Sequence, residues 1–172
     1  MKKITMEEIL EKLQLGSIFG DSQSYYSREK GELVDVQGDY IEMIENLAAE
    51  LEDGYDKEKI LDKIDFASYD EWESDEIKLA LDLYLNHDKY VEFISLSETE
   101  NLKMMKEFAS IIVEKKYEEE LLKVIDEYNS YKRFKEVITT FKLDDKWNDF
   151  RNMALTQRAK FWCLKNGIDH LD

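Results

Sequence analysis

No proline occurs anywhere in the 172 residues. Every peptide unit therefore keeps its N–H donor, and no pyrrolidine ring kinks or ends a helix. Helices can run for as long as their apolar pattern lasts. Their ends must be set by capping side chains and by glycine, and only six glycines are present. The chain accordingly reads as a succession of helices, against which the few non-helical stretches stand out.

The longest predicted helix begins at Asp144 or Asp145, a short acid that can accept from the free N–H groups of the first turn. Gly167 suits the left-handed residue just past its end. Trp147, Phe150, Ala154, Phe161, Leu164 and Ile168 follow each other by helical steps, so they are expected on one face, turned to the core or to a partner. Arg151, Arg158 and Lys165 recur every seven residues and flank that stripe, with Leu155 and Trp162 beyond them. Two uses suit such a strip. The Arg stems can pack on rings while their heads reach solvent or acids. Alternatively, the strip can hold phosphates and stacked bases.

Upstream, Thr5 and Glu8 have capping-box spacing at the head of a helix over Thr5–Leu15, with Ile4 and Ile9 as a hydrophobic staple and Gly16 as the stop. Gly20 also breaks helix. Ser24–Ser27 and Glu32–Val36 read as two strands around the turn Arg28-Glu29-Lys30-Gly31. Helices are predicted over Tyr40–Leu51, stopped by Glu52-Asp53-Gly54, and over Lys57–Ile64. An acidic link follows, and then a helix from Asp75 to Asn86 capped by Ser74. Tyr90, Val91, Phe93 and Ile94 are β-favouring and make a third strand. Ser97 and Glu100 form a second capping box; the helix it opens is expected to close on Lys115-Lys116. Two more helices, Glu118–Tyr128 and Tyr131–Phe141, precede the long one.

The run RFKEVITTFKLDDKWNDFRNMALTQRAKFWCLKNGI resembles the C-terminal segment of the bacterial family UPF0158. Phe134, Lys135, Trp147, Phe150, Arg151, Leu155, Arg158, Ala159, Trp162, Leu164 and Gly167 fit that pattern in order. The hairpin residues Tyr25, Tyr26, Gly31, Glu32, Leu33 and Val34 resemble it as well. The resemblance covers the hairpin and everything from Asp88 onward, whereas the stretch 54–85 is longer than the family pattern. The family carries no assigned activity, so the resemblance implies no ligand and no catalytic residue.

The charge is unevenly spread along the chain. Lys132–Ile168 holds nine Lys/Arg against four Asp/Glu, while Met1–Tyr131 holds fifteen against thirty-four, out of a net −16. A field of that sign repels polyanions and steers basic partners in. Asp70 to Glu76 is the densest acidic run; it lacks the spacing of a calcium loop and reads as a solvated linker, with Trp72 as an anchor to the core or to a partner. His87 and His170 have no second ligand at metal spacing. The single Cys163 excludes an internal disulfide and fits a reducing compartment. Tyr25, Tyr26, Tyr90 and Phe93 can make an aromatic sheet face, either to stack bases or to seat a helix. The start MKKITMEEIL has no apolar h-region, and no apolar run reaches the length of a membrane span.

The expected fold is therefore α+β: one predominantly helical domain over 1–172 with a small antiparallel sheet of about three strands, the hairpin near 22–36 plus a strand near 90–94. The expected role is a cytoplasmic, non-enzymatic interaction or regulatory protein that uses an acidic helical surface on a basic protein partner, with no cofactor, metal or membrane involved. The alternative is RNA or DNA binding through the basic helices 130–168. Arg133, Lys135, Arg151, Arg158, Trp162 and Lys165 are the candidate nucleic-acid or partner-binding residues.

Overall fold

The computed structural model describes residues 3–15, 22–51 and 56–171. In chain order it contains β1 (Ile4–Thr5), α1 (Met6–Leu15), β2 (Ser22–Ser27), β3 (Glu32–Gln37), α2 (Gly38–Ala49), α3 (Lys57–Asp62) and α4 (Glu71–Leu85). Then come β4 (Tyr90–Glu92), α5 (Glu98–Ser110), α6 (Lys115–Tyr128), α7 (Tyr131–Thr140), α8 (Asp144–Asn166) and β5 (His170–Leu171). The fold is α+β, largely helical, with one small three-stranded antiparallel sheet as expected. The helix stops expected at Gly16, Gly20 and Glu52-Asp53-Gly54 lie outside the described residues.

The chain divides into two compact units. The first comprises Met1–Thr5, Ser17–Ile94 and Asn166–Asp172. Its sheet has the order β3-β2-β4, with Tyr25 opposite both Val34 and Glu92. Gly31 takes a φ of 72° in the hairpin turn, a left-handed conformation that a Cβ would strain. The Arg28 N–H donates to the Lys89 carbonyl (2.9 Å) and the Phe93 N–H to the Ser24 carbonyl (2.8 Å), so pairing continues past both ends of β4. Alternation places Tyr25 and Tyr26 on opposite faces, and no single aromatic face is formed. Tyr25 and Tyr90 pack on the core shared with α2 and α4: Val36, Ile44, Ile60, Ile77 and Leu81. The Tyr90 hydroxyl donates to Asp82, which also accepts from Asn86 (2.9 Å), and so ties β4 to α4. A short parallel pairing of β1 with β5 closes this unit.

α4 starts earlier than expected. Asp70 is its N-cap and the Asp70 N–H donates to Glu73 (2.8 Å), which leaves Ser74 inside the helix. The acidic run is thus the first turn of a helix, where negative charge meets the positive end of the dipole. Trp72 in that turn is 56% exposed and is no core anchor.

The second unit comprises Met6–Gly16 and Ser95–Lys165. Its core gathers Met105, Phe108, Leu121, Phe134, Trp147 and Leu155 from α5, α6, α7 and α8, with Leu10 of α1 packed against it. The Ser97 capping box is present: the Glu100 N–H donates to Ser97 Oγ (3.2 Å) and the Ser97 N–H to Glu100 (3.0 Å). Lys115-Lys116 do not close α5. They open α6, whose position follows from burial of Leu121, Val124 and Ile125 and from Tyr117 stacked on Phe141 at 4.2 Å. That packing outweighs an unfavourable dipole interaction of a few tenths of a kcal/mol.

Candidate functional site

Tertiary structure redistributes the charge. The first unit carries nine Lys/Arg and twenty-four Asp/Glu, so −15; the second carries fifteen and sixteen, so −1. The basic C-terminal helices are neutralised by the acids of α1, α5 and α6, which share their unit. The net negative charge is therefore gathered in the first unit.

Within it, α2 buries Ile44 and Ala48 and exposes the side that carries Asp39, Glu42 and Asn46, with Met43 and Leu47 at the boundary of the core. That side lines an open groove of about 420 Å³ formed by Asp39, Glu42, Met43, Asn46, Leu47 and Glu50. Met43 and Leu47 are half-buried and make an apolar floor; the three carboxylates are exposed and make the rim. Glu50 bonds Lys63 (2.8 Å), which holds its carboxyl below the usual range, whereas Asp39 and Glu42 form no ion pair among the described residues. The first turns of α2 and α4 are side by side. The Tyr40 hydroxyl donates to Glu73 (3.2 Å), and the Tyr69 hydroxyl reaches the Met43 sulfur at 3.7 Å. Glu76 beside them has a buried Oε2 with no hydrogen-bond partner. Burial, and then the charges of Asp35 and Glu73, push its carboxyl up. Crowded carboxylates of this kind repel one another, and an incoming cation would relieve the repulsion. Among the described residues, no group of three or more His, Cys, Asp and Glu is placed to hold a metal ion.

The groove was not singled out from sequence. Its only signal there is the set 39, 42/43, 46/47 and 50, a second helical stripe along α2 beside the one that carries Ile44 and Ala48.

The six residues selected from sequence all lie in the second unit, mostly engaged there. Arg133 is exposed, pairs with Glu136 (3.2 Å) and sits over the Tyr128 ring. Lys135 pairs with Asp144 (3.4 Å). Arg158 bonds Glu100 and donates to the Ser95 carbonyl (3.1 Å), so it clasps the cap of α5 onto α8. Arg151 is half-buried, and its Nε, like that of Arg158, is buried without a partner. Trp162 is buried and Lys165 exposed. These positions do not make one open basic strip.

The Arg158–Glu100 clasp predicts a pH dependence. Burial raises the Glu100 carboxyl, but the hydrogen bonds from Arg158 and Ser97 and the Arg158 charge outweigh it, and the group ends below its ordinary value. A depressed carboxylate contributes stability above its unfolded value and loses it as pH falls through its folded value. Arg158→Ala should therefore lower stability by about 1–2 kcal/mol near neutrality, after allowance for solvent screening of a partly exposed pair. That gap should narrow in acid. Urea titrations at neutral and acidic pH read it; a gap independent of pH would mean that the pair contributes nothing electrostatic.

The fold defines the class: a helix-dominated α+β protein of two units, one of them strongly acidic. A family model described as an uncharacterised protein family, UPF0158, matches residues 36–171, and the chain belongs to that family. The matched range includes 54–85, and it begins at Val36 in β3, so β2 falls outside it. No curated protein and no solved structure matches the chain. Among the described residues, no helix is long and apolar enough to cross a membrane.

Proposed function

We propose that this protein is a cytoplasmic, non-enzymatic interaction module whose first unit binds a basic, amphipathic segment of a protein partner along the α2 groove. One observation carries this reading: the unit of net charge −15 bears an open groove with an apolar floor and an acidic rim. An apolar anchor on Met43 and Leu47 supplies contact area. Lysine or arginine beside it meets Asp39 and Glu42, and the wider field steers the encounter. Nucleic-acid binding through Arg133, Lys135, Arg151, Arg158, Trp162 and Lys165 has less support, because Arg133, Lys135 and Arg158 are already paired with acids and Trp162 is buried.

The test is calorimetric titration of the full chain with a synthetic basic amphipathic helix and with its acid-substituted counterpart. The basic peptide should bind, and its affinity should fall steeply with salt. The double reversal D39K/E42K should weaken it at least tenfold, about 1.4 kcal/mol. No saturable binding at low salt, or full affinity in the double variant, would remove the reading. A parallel titration with RNA and DNA oligomers decides the alternative.

A further inference from the structure

α8 is apolar on two sides, and only one is covered. Trp147, Leu155, Ala159, Trp162 and Cys163 are buried. Met153, Phe161 and Leu164 are exposed at 56%, 65% and 81%. At about 100° per residue, Met153, Gln157, Lys160, Phe161 and Leu164 form one stripe on the uncovered side. No Asp or Glu occurs between Phe150 and Ile168, so exposed Lys160 and Lys165 give that stripe a basic edge. An apolar helical stripe of this kind, three large side chains deep, marks an interaction surface.

Its complement is in the same chain. The α2 groove has Met43 and Leu47 as floor and Asp39 and Glu42 as exposed acidic rim. The groove runs from residue 39 to 50 and the stripe from 153 to 164. Both span eleven helical steps, about 16 Å. The geometry points to a second copy of this chain as the occupant of the stripe: the α8 stripe of one copy lies along the α2 groove of another, with Phe161 and Leu164 on Met43 and Leu47 and with Lys160 and Lys165 against Asp39 and Glu42. Pairing of α8 with α8 instead would bring lysines against lysines. Because groove and stripe are different surfaces, the contact is head to tail, and association continues past the dimer unless a ring closes. The inference rests on the groove accepting basic amphipathic helices. It adds that self-assembly and partner binding compete for the same groove.

Sedimentation velocity on the full chain over a wide concentration range tests it. At about 0.15 M salt the screening length is about 8 Å, short enough to mute repulsion between acidic copies while contact pairs persist. There the mean sedimentation coefficient should rise with concentration, and at about 1 M salt it should fall back. F161E/L164E, K160E/K165E and D39K/E42K should each leave a monomer. All six positions are exposed, so unchanged circular dichroism and melting are expected. Mixing K160E/K165E with D39K/E42K should restore association, because each then offers the charge that the other lacks. A monomer at every concentration overturns the inference, as does association that K160E/K165E leaves intact or a mixture that stays monomeric. Peptide binding by a monomeric chain keeps the groove reading and removes this one. Restored association without peptide binding does the reverse for an external partner.

Discussion

Replacing Trp147 with alanine is expected to lower stability by about 3–5 kcal/mol, near the top of the range for a single core truncation. Trp147 is 1% exposed. Its ring centroid lies 4.9 Å from that of Phe134, 5.2 Å from Phe108 and 6.1 Å from Phe150, and the indole N–H donates to the Tyr131 hydroxyl at 3.3 Å. It therefore joins α5, α7 and α8. Its neighbours are themselves large and fixed by one another, so they cannot collapse into the space an alanine leaves. For a chain of this length the loss corresponds to a fall in melting temperature of roughly 10 °C. Urea unfolding followed by far-ultraviolet circular dichroism measures it without the lost indole as probe. A change below about 1 kcal/mol would show that this aromatic cluster does not hold the unit together.

Ile44→Ala is expected to cost about 2–5 kcal/mol in the other unit. Ile44 is fully buried under α2 among Val36, Ile60, Ile77 and Leu81. The two cores are separate clusters in separate units, so the two substitutions should be felt in different places. Hydrogen exchange should accelerate in α2 and α4 for Ile44→Ala and in α5 to α8 for Trp147→Ala, each leaving the other set near its wild-type rate. Equal acceleration everywhere would mean that the chain unfolds as one cooperative body. The same pair bears on function: Trp147→Ala should leave the α2 groove and its affinity for a basic peptide intact.

Much of the fold was legible because it rests on local chemistry. The hairpin was marked by its turn around Gly31, and the third strand by a β-favouring run at Tyr90. The start of α5 was marked by Ser97 and Glu100, and the end of α8 by Gly167, whose φ is 62°. Where the reading missed, two local signals competed. Asp70 and Glu73 make a capping box inside an acidic run that also resembled a linker, and only packing of Ile77 and Leu81 on α2 and the sheet selects the earlier start. Lys115 and Lys116 suit the end of one helix, yet burial of Leu121 and Ile125 places them at the start of the next.

The candidate surfaces were less legible. Periodicity grouped Phe161 and Leu164 with Trp147 on one apolar face, but a helix apolar on two sides does not say which side is covered. Arg158 looked like part of a basic strip because its acid, Glu100, lies fifty-eight residues earlier. Capping, period, turn chemistry and composition are local, and they were enough for the helix-rich α+β class, the small sheet and the total charge, while the residue pattern of 134–167 was enough for the family. Tertiary packing alone settles that −15 of that charge gathers in one unit, that α2 carries an open acidic groove, and that Arg133, Lys135 and Arg158 are paired with acids. Those outcomes depend on which distant segments share a unit, and pairings across such separations leave no mark in a local pattern.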